Sequence, residues 1–150
     1  MDKKYFDLVY DESIKAFDLN EVPIGAIIVK DGSVIASAFN IKESNNCSLD
    51  HAELIAIREA SKVLNNWRLN DCDIYVSLDP CPMCASAIKQ ARIKNVYSAL
   101  SNTDNSYTSI INSIFNLSDN TNDSVDFQSN LDVDRFKILL NKFFEKQRNK

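Results

Sequence analysis

The stretch Asp73-Ile74-Tyr75-Val76-Ser77-Leu78-Asp79-Pro80-Cys81-Pro82-Met83-Cys84 changes periodicity within one short run. Asp73 to Leu78 is rich in β-branched and aromatic residues and predicts a strand. Pro80 supplies no ladder donor and stops it, while Pro82 suits the first turn of a helix. The helix is expected from Pro82 to Ala91, and Asn95 to Leu100 then reads as a further strand. A strand, a helical crossover and a second strand require parallel pairing. This segment decides for an α/β layer fold.

Working outward, Phe6, Tyr10, Ile14 and Phe17 recur at helical spacing and predict an opening amphipathic helix that ends near Asn20. Pro23 to Lys30 and Ser33 to Asn40 read as strands joined by the hairpin signal Asp31-Gly32. Ile41 to Asp50 has no clear period and is expected as a loop. A helix then starts about His51, with Leu54, Ile57, Ala60 and Leu64 as its buried stripe, and stops near Asn65-Asn66. Ser101 to Val133 contains no Lys or Arg. Within it Ser109 to Leu117 predicts a short helix and Ser118 to Asn130 an exposed loop. From Asp134, Phe136, Leu139, Leu140, Phe143 and Phe144 form the apolar stripe of a closing helix.

The 150 residues, 45% hydrophobic and 25% charged, suit one domain over 1–150. Seventeen Lys and Arg against 21 Asp and Glu leave a net charge of -4, which excludes a globally basic surface. Any polyanion must be held locally. The apolar run Val22 to Val29 is far shorter than the roughly 20 residues of a membrane helix. Met1-Asp2-Lys3-Lys4-Tyr5 does not resemble a secretory leader, so a cytoplasmic location is expected, where thiols stay reduced. The four cysteines then point to metal chemistry rather than disulfides.

The informative constellation is His51-Ala52-Glu53 followed by Pro80-Cys81-Pro82-Met83-Cys84. His51 is the chain's single histidine. The i, i+3 spacing puts both sulfurs on one side of a helix's first turn, where free amides and the helix dipole favour thiolates. One nitrogen and two sulfurs make a three-donor zinc site whose fourth position is open to water, and an open site is a hydrolytic one. Glu53 would be the non-ligand carboxylate that moves protons there. Residues two apart on a helix diverge by about 200°, so His51 must lie on the irregular leading edge. Each piece alone has a bland reading: a surface histidine, an incidental Cys-x-x-Cys, a glutamate complementing a helix dipole. Cys47 and Cys72 are the rival fourth ligands, and either would make the site structural.

His-x-Glu with a downstream Pro-Cys-x-x-Cys resembles the zinc-dependent cytidine deaminase superfamily. Within it the chain is similar to the bacterial tRNA adenosine deaminases. The similarity lies in Glu21-Val22-Pro23-Ile24-Gly25-Ala26, Asn40, His51-Ala52-Glu53, Asn66-Trp67-Arg68-Leu69, Tyr75 to Cys84 and Phe143-Phe144. The resemblance implies a three-layer α/β/α fold around a five-stranded mixed sheet, a homodimer, one Zn2+ per chain held by His51, Cys81 and Cys84, and tRNA as partner. It also implies conversion of adenosine to inosine at the wobble position of an anticodon loop. Glu53 would shuttle protons, the backbone around Ala52 would fix the base, and Asn40 would contact the nucleoside. A strand-end turn residue is the alternative for Asn40. The chain departs from the family pattern at Asp50, at Asp79 where Glu is common, and in the glycine-free run Ser98 to Asp104.

Phosphate neutralisation would fall to Arg135, Lys137, Lys142, Lys146, Arg148 and Lys150, with Phe144 stacking on an unpaired base. The alternative is a solvated helix with core phenylalanines. Pro-Cys-Pro-Met-Cys also occurs in guanine deaminases, so a deaminase of free guanine or a pyrimidine nucleotide stays open, as does a non-catalytic zinc-stabilised RNA-binding subunit. The retained Glu53 opposes the last.

Overall fold

The computed structural model describes residues 1–102, 105–117 and 124–149, with Asn105 and Ser106 as backbone. Five strands form one mixed sheet in the order β2-β1-β3-β4-β5. These are β1 (Gly25–Lys30), β2 (Ser33–Phe39), β3 (Cys72–Leu78), β4 (Asn95–Leu100) and β5 (Asp126–Gln128). β1 runs antiparallel to both β2 and β3, whereas β3, β4 and β5 are parallel. The helices are α1 (Lys4–Asp18), α2 (Ala52–Leu64), α3 (Pro82–Gln90), α4 (Asn105–Phe115) and α5 (Val133–Arg148). None is long and apolar enough to cross a membrane.

Alternation along β1 divides the core. Ala26 and Ile28 face α2, α3 and α4 through Ala52, Ala56, Ala60, Ile88, Ile111 and Phe115. Ile27 and Val29 join Phe6, Val9, Tyr75, Tyr97 and Phe136 on the side of α1 and α5. Three layers result. Asp31 and Gly32 both have positive φ, 52° and 78°, the backbone of a two-residue hairpin turn. At Gly25 a Cβ would stand 2.7 Å from the Val9 carbonyl and 2.9 Å from the Ser13 nitrogen, so only glycine lets α1 lie this close to β1.

Four expectations change. The helix expected over Ser109 to Leu117 starts and ends earlier, at Asn105–Phe115. Ser118 to Asn130 contains β5, so the described part is not all loop; residues 118–123 lie outside the described residues. The first strand begins at Gly25 rather than Pro23. The buried stripe of α2 is Ala52, Glu53, Ala56 and Ala60, with Leu54, Ile57 and Leu64 half-buried beside it. Small side chains face the sheet because close helix packing excludes large ones.

The loop from Ile41 to Asp50 delivers the chain to α2 and is pinned by Glu21, which is buried. Glu43 N donates to Glu21 Oε1 at 3.0 Å, and Ser44 N donates to Oε2. Burial alone would push this carboxyl up, but the bonds from Ser44 and Glu43 outweigh it and hold it below its ordinary 4.5. A depressed pKa contributes stability above the unfolded value that is lost as pH falls through the folded one. Glu21→Gln is therefore expected to cost about 1–3 kcal/mol at neutral pH and much less at about pH 3. Urea unfolding at the two pH values checks this; an equal cost at both would remove the carboxylate from the account.

Candidate metal centre and active site

Both ends of the candidate site are helix beginnings. His51 is the N-cap of α2, with extended backbone (φ -74°, ψ 149°), and Cys81 is the N-cap of α3 (φ -70°, ψ 169°) with Pro82 following. His51 thus sits on the irregular leading edge that sharing a site with Glu53 requires. His51 Nδ1 lies 3.8 Å from Cys81 Sγ and 3.5 Å from Cys84 Sγ, and the three donor atoms lie within 4.8 Å of one another. A tetrahedral ion with ordinary Zn–N and Zn–S bonds sets N···S separations of about 3.5 Å, so the triangle fits one. Cys47 and Cys72 are outside this group among the described residues. Cys72 opens β3, at the far end of that strand from the Leu78 exit.

The electrostatics suit metal capture. The Cys84 thiol donates to Cys81; with the backbone N–H of Cys84 and Met83 and the nearby His51, this outweighs burial and lowers the Cys81 thiol to about 5. The same shared proton, and then burial, push the Cys84 thiol up. One proton held between two sulfurs is what a divalent cation displaces. Glu53 is 4% exposed, and its Oε1 is the one buried side-chain oxygen or nitrogen without a hydrogen-bond partner among the described residues. Burial pushes its carboxyl up. A buried, unsatisfied carboxylate oxygen costs stability and marks a place where something else binds.

A cavity of about 140 Å³ opens on this group, lined by Val22, Ile24, Asn40, Lys42, His51, Ala52 and Glu53. Asn40 is buried. Its Nδ2 donates to Val22 O at 3.3 Å and its Oδ1 accepts from Lys42 N at 3.1 Å, so it serves the turn and lines the cavity at once. A second cleft, lined by Val22, Leu78, Asn102, Asn130, Lys137, Phe144 and others, adjoins it through Val22. Phe144 is 44% exposed there, while Phe136, Leu139 and Phe143 are buried core. Arg135 is committed to Asp132 (2.7 Å) and Asp7 (2.9 Å), and Lys146 lies over the Phe17 ring, which leaves Arg135 out of any phosphate-binding set. Lys150 is outside the described residues. Sequence reasoning missed Lys42 as a lining residue, and no motif could have singled it out.

A family model described as MafB19-like deaminase matches residues 1–148. The chain belongs to the MafB19-like deaminase family. The chain is 39% identical over 153 residues to the tRNA-specific adenosine deaminase of Aquifex aeolicus (strain VF5), covering 99% of this chain and 98% of that protein. It is 53% identical over 85 residues to the chloroplastic tRNA(adenine(34)) deaminase of Arabidopsis thaliana, which covers 57% of this chain; the matched stretch spans 6% of that protein's length. Among solved structures, a tRNA:A34 deaminase described as editing A to I at the wobble position of transfer RNA superposes with a TM-score of 0.75 at 35% identity. That match covers 85% of this chain and 97% of that one. The guanine deaminase of Bacillus subtilis superposes with a TM-score of 0.64 at 33% identity, covering 100% and 96%. The chain has the three-layer fold with a five-stranded mixed sheet of the cytidine deaminase type.

Proposed function

We propose that the chain is one zinc-dependent deaminase domain over 1–150 that converts adenosine to inosine at the wobble position of a tRNA anticodon in the cytoplasm. The observation that carries a hydrolytic site is the unpartnered Oε1 of the Glu53 carboxylate beside a three-donor cluster. His51, Cys81 and Cys84 would hold zinc. When bound, zinc supplies Lewis acidity and brings a water's pKa to about 7. Glu53 accepts a proton from the attacking water, passes it to N1 of the purine, and returns the second water proton to the amino group as ammonia leaves. Water and adenosine thus become inosine and ammonia. Val22, Ile24 and the backbone at Ala52 enclose the base, Asn40 contacts the nucleoside, and Phe144 is exposed for stacking on a neighbouring base.

The wobble reading is supported by the full-length similarity to the Aquifex enzyme, and a guanine-deaminase reading by the Bacillus subtilis structure at 33% identity. Incubating zinc-loaded protein with tRNA bearing adenosine at the wobble position, and separately with free guanine, decides between them. Inosine in the tRNA with no loss of guanine is the expected result. Guanine turnover without inosine would transfer the assignment to the free base.

A homodimer belongs to the same reading. Tyr107, Ile110, Ile114 and Leu117 recur at helical spacing on and just beyond α4; three are exposed, Ile114 is half-buried, and α4 itself carries no charged residue. A second copy of the chain would cover this stripe.

A further inference from the structure

Asp79 is a buried carboxylate that the chemistry above does not use, and it stands two residues before Cys81. It is 5% exposed, and no ion pair involves it among the described residues. Ser129 Oγ donates to its Oδ1 at 2.6 Å, Asn102 N donates to its Oδ2 at 3.3 Å, and its own backbone N–H donates to Leu100 O at 3.0 Å. A carboxylate buried without a cation persists only where such donors meet it.

What it joins is informative. On one side is the turn that carries Cys81 and Cys84. On the other is the connector between β5 and α5, which is laced to β4 by Leu131 N to Ser98 O (3.1 Å), Asp132 N to Ala99 O (3.1 Å) and Ser101 N to Asn130 Oδ1 (2.9 Å). That connector runs directly into α5, whose Lys137, Leu140 and Phe144 wall the second cleft opposite Leu78 and Asn102. One side chain therefore ties the metal turn to the wall of the neighbouring cleft.

We propose that Asp79, acting through Ser129, is a positioning residue that sets the α5 wall against the metal turn and so governs how the nucleotide beside the target base is held. This rests on the wobble-deaminase reading for its substrate. Asp79→Asn keeps the shape but turns an amide N–H toward one of the two donors. It is expected to retain one zinc per chain and the absorption spectrum of the cobalt-substituted protein, since the metal turn itself is undisturbed. KM for an anticodon stem-loop should rise about tenfold with kcat within about twofold. Ser129→Ala should move KM in the same direction, the double variant should be no worse than Asp79→Asn alone, and Asp79→Glu should lie nearer the unaltered chain.

Amide exchange reads the link without any substrate: Leu131 and Asp132 should exchange faster in both single variants. Additive KM effects, a fall in kcat at constant KM, or unchanged exchange at Leu131 and Asp132 would each overturn the proposal. A failure of the wobble reading shows differently, as absence of inosine with the unaltered chain, and leaves the exchange measurement to judge the link.

Discussion

A Glu53→Gln chain is expected to bind a full complement of zinc, to keep its fold, and to lose about a thousandfold of its turnover. The substitution preserves volume and the capacity to accept a hydrogen bond, so the buried position of Glu53 stays filled. What disappears is the ability to carry a proton between the attacking water, the ring nitrogen and the departing amine. The effect should be confined to the chemical step because Oε1 has no structural partner to lose. Burial without that partner already disfavours the carboxylate. The neutral amide is therefore expected to leave thermal stability equal or higher, the opposite of a core lesion. Single-turnover rates with metal analysis and a melting curve on the same sample check the three parts. A near-normal rate would take Glu53 out of the mechanism, and lost metal would make it a ligand.

Stripping the ion should abolish turnover and at the same time uncover a reactive sulfur. With the Cys81 thiol lowered to about 5, the thiolate predominates at about pH 6, where an ordinary cysteine carries almost none. Cys81 is half-exposed, whereas Cys84 and Cys72 are buried and their thiols are pushed up. Iodoacetamide at about pH 6 is therefore expected to alkylate Cys81 of the metal-free chain ahead of Cys72 and Cys84, and restored zinc should protect it. Peptide mapping reads the order. Equal labelling with and without zinc would mean that Cys81 does not bind the ion.

Much of this was legible in the sequence because the decisive signals are local. Alternation and β-branched content located β1 to β4, and the prolines flanking Cys81 located the start of α3. The requirement that His51 precede the regular helix followed from angular spacing alone, and its extended backbone meets it. β5 escaped because Asp126-Phe127-Gln128 is three residues with one apolar side chain, too short for a periodic signal; its identity lies in pairing with β4, a non-local fact. The stripe of α2 was misjudged because periodicity weights large side chains while the close-packed face is alanine. Arg135 looked available for phosphate until α1 brought Asp7 to it from the other end of the chain.

Among the described strands, β3 alone is held by an antiparallel neighbour on one flank and a parallel neighbour through a helical crossover on the other. Slippage by a single residue would break both ladders and exchange the faces of every side chain on it. Its end is consequently a fixed datum, and the reach from Leu78 to the two sulfurs is counted out in backbone units. Length changes should be tolerated in the β1–β2 hairpin, but an insertion or deletion between Leu78 and Cys84 would shift the sulfurs out of reach of the imidazole.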